Sequence, residues 1–405
     1  MLVQFNFENY KSFLHETSLD MTATVFKEHP YNLINLPCKN NKDKYIKVAA
    51  IYGANASGKS SVIEAFGFMR FFVQHSFKMA ADNKKNIPYK SFAFTKEKKA
   101  SLFEVFFIKN MCEYQYGFEM NHKKIIGEWL YRRPLEEKDF EPVFERENGE
   151  YSFSDTVKSA RNFEDTVTDQ TLLLSLLSNT KISIMKDVFE WFEDIVVINF
   201  GDTIIEHSIT WNLPLDIEQS ELQHEIVQFL NAINVPINRI DFEKVEEDEE
   251  ESYRLFSVYY HDGNEIRLPF HEESSGTIKM FTLYLHLKHA LQNALPVFID
   301  ELDAKLHPLL LRYIITMFHD EKKNPNNAQL IYTTHDNYTL TKDIFRRDQI
   351  WFVEKQNDLT AELYSLAEYK MVDKKVRNDA TYNKDYLLGK YGGVPILKEF
   401  NMWGE

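Results

Sequence analysis

Cysteine is nearly absent: Cys38 and Cys112 are the only two in 405 residues, far apart and without a C-x-x-C partner. That excludes a disulfide framework and a thiolate metal site. No apolar run approaches the roughly 20 residues that a bilayer-spanning helix needs. The opening Met1-Leu2-Val3-Gln4-Phe5 alternates like a strand and carries no basic leader region. The chain is therefore expected to be cytoplasmic, without membrane association. Positive charge is also short, with 47 basic against 62 acidic residues and a net charge of −15, which opposes unspecific attraction to a phosphate backbone. Nucleic-acid binding would need a local patch. Lys39, Lys42, Lys44 and Lys47, then Lys78, Lys84, Lys85 and Lys90, are candidates for one, or else form an ordinary solvated surface. There is no heptad array for a coiled-coil arm, no internal repeat, and no low-complexity tract beyond the acids from Glu246 to Glu251, which read as an exposed loop between strands.

What the chain does contain is Gly53-Ala54-Asn55-Ala56-Ser57-Gly58-Lys59-Ser60-Ser61, a G-x-x-x-x-G-K-S phosphate loop. The mostly apolar run Ile46 to Tyr52 precedes it as a strand, and Val62, Ile63 and Phe66 follow with helical spacing. Gly53 and Gly58 let the backbone fold round phosphates, so that the amides of Asn55, Ala56, Ser57 and Gly58 and the start of the following helix point at the anion. Lys59 would neutralise the β- and γ-phosphates, and the Ser60 hydroxyl would take a magnesium position. ATP with Mg2+ is the ligand this arrangement suits.

Leu295 to Ile299 is a short apolar run ending in Asp300-Glu301. Alone it is equally a plain strand end. Paired with the phosphate loop, it places Asp300 on the magnesium and Glu301 as the base that polarises the attacking water. Gln329 to Thr334 predicts another strand, ending at His335, which either donates to the γ-phosphate or makes a structural hydrogen bond. Glu273-Ser274-Ser275-Gly276-Thr277 opens a helix with Met280, Tyr284, Leu287 and Leu291 on one face. That start is either an anion site or an ordinary N-cap.

The predicted fold class is α/β: an ABC-type P-loop ATPase head, with a mixed sheet core plus an antiparallel sheet, and an inserted helical lobe. Residues 1–154 would form the N-terminal part of the head, 155–240 the lobe, and 241–405 the C-terminal part. Leu102 to Phe107 and Tyr114 to Met120 predict a hairpin in the antiparallel sheet. Leu172 to Leu177 predicts a short buried helix, and Met185, Val188, Phe189, Phe192, Ile195 and Val196 predict a helix of the lobe.

The order of phosphate loop, helical insert, Ser-x-Gly, Asp-Glu and His resembles the ABC-class ATPases related to SMC, RecF and the OLD nucleases, most closely the RloA-type or AbiL-type abortive-infection ATPases. Carrying the resemblance are Phe7 to Phe13, Gly53 to Ser61, Glu273 to Thr277, Asp300 to Pro308, Thr334-His335-Asp336, and Tyr386 to Pro395. It implies that Asn9, Lys11 and Ser12 lie beside the nucleotide. It also implies that Ser274 and Gly276 close on a nucleotide held by a second copy, in a head-to-tail homodimer or an oligomer of such dimers. The chain departs from the family signature in keeping only the serine and second glycine, and carries His307 where an aspartate is usual. Both departures point to slow or partner-controlled turnover.

The expected function is that of a sensor subunit in an antiphage system, controlling a separately encoded effector nuclease. A stand-alone nuclease is disfavoured, because only 70 residues follow His335 and they hold no Asp-x-Asp pair. A RecF- or SMC-like DNA clamp is the alternative, and would need a basic groove. A GTPase is the weakest rival: Asn41-Lys42-Asp43 precedes the phosphate loop and lacks the final aspartate of a guanine-reading motif.

Overall fold

Strands that bury one face alternate, and strands buried on both faces are apolar throughout; this chain has a sheet of each kind. The computed structural model describes residues 1–38, 43–81, 87–96, 99–200, 220–247, 250–371, 374–375 and 381–395. In chain order its strands begin with β1 (Leu2–Glu8), β2 (Thr17–Asp20), the short pair β3 (Leu33–Asn35) and β4 (Lys44–Ile46), and β5 (Val48–Gly53). Helix α1 (Lys59–Ala81) precedes β6 (Ser101–Lys109), β7 (Cys112–Met120), β8 (Ile125–Pro134), β9 (Glu141–Glu147) and β10 (Glu150–Phe153). These last five join β1 and β2 in a seven-stranded sheet ordered β10-β9-β8-β7-β6-β1-β2, every pair antiparallel. Its β6–β7 turn places Asn110 and Met111 at φ 51° and 59°, the left-handed pair that matches hairpin twist.

Next come α2 (Leu173–Leu177), α3 (Ser183–Asp194), β11 (Val196–Asn199), α4 (Ser220–Ala232) and the meander β12 (Arg239–Glu247), β13 (Glu250–His261) and β14 (Asn264–Pro269). The chain continues through α5 (Ser275–Asn293), β15 (Pro296–Asp300), α6 (Pro308–His319), β16 (Gln329–Thr333), β17 (Ile350–Lys355), β18 (Ala361–Ser365) and α7 (Tyr382–Leu387). The second sheet runs β11-β15-β16-β5-β17-β18, parallel except for β18.

All of β5 is buried because its two faces serve two cores. Ala49 and Ile51 join Phe66, Phe298 and Trp351 in a core that includes Phe5, Phe7 and Phe103 of the antiparallel sheet, with α1 between the sheets. Val48, Ala50 and Tyr52 face the opposite core with residues of α5 and α6. Phe66 binds these layers together. Its ring stacks on Phe298 at 3.9 Å and meets Phe5 and Trp191 edge-on. Phe66→Ala is expected to lower unfolding free energy by about 3–5 kcal/mol, read from a denaturant transition; a loss below about 1 kcal/mol would contradict this placement.

Three expectations change. Among the described residues of 155–240, the helices are not set apart as a lobe. Trp191 of α3 stacks on Phe107 at 3.9 Å, and β11 runs parallel to β15 as an edge strand of the central sheet. The run Ile46 to Tyr52 is interrupted, since Lys47 lies between β4 and β5 with Nζ donating to His319 O at 3.4 Å. That buries Lys47 and removes it from any surface patch. The acid run is not all loop: β12 and β13 extend into it, Glu246 pairing with Glu251 and Glu247 with Glu250, while Asp248 and Glu249 lie outside the described residues. Lys39, Lys42, Lys84, Lys85 and Asn41 lie outside the described residues. Both cysteines are free and partly buried, and among the described residues no helix is long and apolar enough to cross a membrane.

Candidate active site

Parallel strands β5, β16 and β15 lie side by side, so their C-terminal ends deliver three loops to one edge of the sheet, where α/β folds bind ligands. From β5 comes the phosphate loop. A Cβ on Gly53 would meet Val353 O at 2.6 Å and Ser57 Oγ at 2.7 Å, and Gly58 sits at φ +114° with Ser12 Cβ 3.1 Å from its virtual Cβ. Neither position accepts a side chain. Ala56 is left-handed at φ 59°, and Asn55 and Ala56 are exposed. Ser57 Oγ is buried without a hydrogen-bond partner.

Lys59 opens α1 and is buried, its Nζ donating to Gly53 O at 2.8 Å and Ala54 O at 2.9 Å. Burial lowers its pKa, against the pull of Asp300, Asp303 and Glu301. A lysine desolvated at the loop while facing three carboxylates is set to take an anionic partner. Ser60 is half-buried in the first turn and Ser61 is buried behind it.

From β15 comes the acid pair. Asp300 is buried, and its Oδ1 accepts from Thr333 Oγ1 at 2.5 Å; that hydroxyl also accepts from Glu301 N at 2.8 Å. One threonine at the end of the intervening strand therefore fixes both acids. Glu301 is left-handed at φ 53°, a strained conformation for a non-glycine residue that neighbours must hold in place. From β16 comes His335, whose N–H donates to Asp303 Oδ2 at 3.1 Å, while Thr334 N donates to Ile51 O at 3.1 Å beside the phosphate loop. Burial, then Lys59, lowers the His335 pKa, against nearby acids, which favours the neutral imidazole.

The remaining predicted residues divide. Ser12 touches the loop, its Oγ 3.4 Å from Ser61 Oγ. Lys11 pairs with Glu64 of α1. Asn9 is consumed structurally, its Nδ2 donating to Lys99 O at 2.7 Å and its Oδ1 accepting from Phe92 N at 3.2 Å. Ser274 caps α5, accepting from Thr277 N at 3.1 Å, and is exposed with Ser275. His307 caps α6, accepting from Leu309 N at 3.2 Å. Asp336 accepts from Thr339 N at 2.8 Å and so closes a turn.

Sequence reasoning missed Thr333, Asp303 and the role of the tail. Gly393 lies with its virtual Cβ 3.7 Å from Gly53 Cα, and Tyr386 OH donates to Gly393 O at 3.0 Å, so the tail backs the phosphate loop. The left-handed glycines 389, 392 and 393 were the available signal.

These residues fit a magnesium nucleoside triphosphate. The glycines leave no room for side chains, Ser57 Oγ and Asp303 Oδ1 are buried and unpaired, and the hard oxygen donors suit magnesium. Ser60 and Asp300 would hold the ion, which supplies charge neutralisation on the phosphates. Among the described residues no His, Cys, Asp and Glu cluster forms a separate metal site. A comparison with curated proteins gives no match. Residues 48–341, from the first residue of β5 past the His335 loop, match the family described as "AAA domain, putative AbiEii toxin, Type IV TA system". With its phosphate loop, acid pair and histidine on one sheet edge inside that match, the chain belongs to this family of AAA-domain, P-loop ATPases.

Proposed function

We propose that the chain hydrolyses ATP with Mg2+ at a site shared between two copies, and that ATP-driven dimerisation sets the state of a separate effector in a defence or toxin-type system of the RloA or AbiL kind. The observation carrying the chemistry is the Thr333 bridge, which holds Asp300 and Glu301 at the strand edge next to the phosphate loop. Ser60 and Asp300 hold the metal, Lys59 and the loop amides the phosphates, Glu301 takes the proton of the attacking water, and His335 reads the γ-phosphate. Sharing is supported by the exposed start of α5. Ser274 O and Oγ occupy the amides of Ile278 and Thr277, while the helix start retains the dipole and first-turn donors that attract an anion. ATP-dependent association then acts as a population shift. The family name supports a toxin-type setting.

The test is complementation. Ser274→Arg is expected to bind ATP like the parent and to lose hydrolysis, because its own cradle is intact and its cap is blocked. Mixed with Lys59→Ala, it regains one working site per mixed dimer, up to about a quarter of the parent rate. No recovery on mixing, with both variants folded, contradicts the shared site. Copurification from the native host identifies the effector, and DNA travelling with the chain instead would favour the clamp.

A further inference from the structure

Lys279 lies one turn into α5, yet it is only 4% exposed. Its Nζ donates to Glu301 O at 3.3 Å, Leu302 O at 2.9 Å and Ala304 O at 2.6 Å. An ammonium has three N–H groups, and here each has a carbonyl. The same Nζ lies 4.1 Å from the centre of the Phe200 ring. Burying a lysine is unfavourable unless it is this fully matched, and α5 is already anchored by Met280, Phe281, Leu283 and Leu287. Helix packing alone does not account for the charge.

The three carbonyls belong to the loop that carries the base. Within that loop Glu301 and Lys305 are both left-handed, at φ 53° and 59°, and Asp303 holds the His335 backbone. The loop also touches the start of α5: a Cβ at Gly276 would lie 3.5 Å from Lys305 O. One side chain thus bolts the backbone of Glu301 to the helix that Ser274 caps.

We propose that Lys279 is a positioning residue that makes a protomer's own base and its cap over the partner's nucleotide a single mechanical unit. Seating Ser274 on the partner's triphosphate then tightens the placement of Glu301 over the protomer's own, so the two sites of a dimer turn over cooperatively while a single capped site keeps part of its rate. This rests on the reading that the site is shared between copies.

The experiment uses the full chain with Lys279→Met, Lys279→Gln and Lys279→Arg. ATP affinity is measured by calorimetry, and kcat, KM and the Hill coefficient by phosphate release. Lys279→Met is expected to bind ATP within about twofold of the parent, to lose about 10²-fold in kcat through misplacement of Glu301, and to show a Hill coefficient falling to about 1. Lys279→Arg, which keeps the charge and donors, recovers part of kcat. Lys279→Gln carries the same test if Lys279→Met does not fold. A parent-like kcat and Hill coefficient, or a loss confined to KM, overturns the proposal. The parent's own rate reports separately on the shared site: if it rises with the square of concentration at low concentration while Lys279→Met matches it, only the coupling fails.

Discussion

Glu301→Gln is expected to bind ATP as tightly as the parent and to turn it over about 10³-fold more slowly, within the range that general bases contribute. Glutamine keeps the shape and accepts hydrogen bonds, but it cannot take the proton of the attacking water. Its backbone stays in place because the restraints are not its own: Thr333 Oγ1 holds the amide and Lys279 Nζ the carbonyl. The variant therefore separates chemistry from fold. Hydrolysis at the parent rate would show that Glu301 is not the base; loss of binding along with turnover would show that it serves the cradle instead.

The second large effect is on binding. Lys59→Ala is expected to weaken ATP binding by at least about 10²-fold, the worth of a charged hydrogen bond in a desolvated site. In the structure Lys59 Nζ contacts two loop carbonyls and is charge-coupled to Asp300, Asp303 and Glu301. Removing the cation leaves the phosphates facing three acids. Stability without nucleotide should change little, because the ammonium is disfavoured by burial. The check is thermal: ATP at about 100 times the parent's dissociation constant stabilises the parent by about 2.7 kcal/mol and should stabilise Lys59→Ala by no more than about 0.4 kcal/mol. An equal ATP-induced shift in both proteins would contradict the assignment.

Much of this site is written locally. A strand, a glycine-spaced turn and a helix occupy Val48 to Phe66 without interruption, and Asp300-Glu301 directly ends a strand. Each can be read from a short window. The acid run is local too, yet strand pairing reaches further into it than polarity suggested, since Glu246 still pairs with Glu251. What escaped is long-range. Thr333 looks like any β-branched strand residue, and only the placement of β16 between β5 and β15 puts its hydroxyl on both acids. Lys279 carries no signal in sequence, because backbone carbonyls as partners leave no mark there.

The helical run after 155 misled for a related reason. Amphipathic spacing in α3 reports an apolar stripe but not the surface that covers it; here that surface includes Phe107 of the antiparallel sheet, so the helix belongs to the body. Asn9 shows the limit of resemblance. Its place in the family motif is matched, while its side chain holds the backbone near Phe92 and Lys99. The tail from Tyr386 to Gly393 gains a physical role: it packs behind Gly53, coupling the C-terminal segment to the nucleotide cradle.

The most direct measurement is the solution mass of Glu301→Gln by analytical ultracentrifugation, with and without ATP and Mg2+. The account predicts one chain without nucleotide and two with it, returning to one when ATP is replaced by ADP. A variant that binds ATP to saturation yet keeps the mass of one chain, alongside a parent that hydrolyses ATP as a monomer, would contradict the shared site.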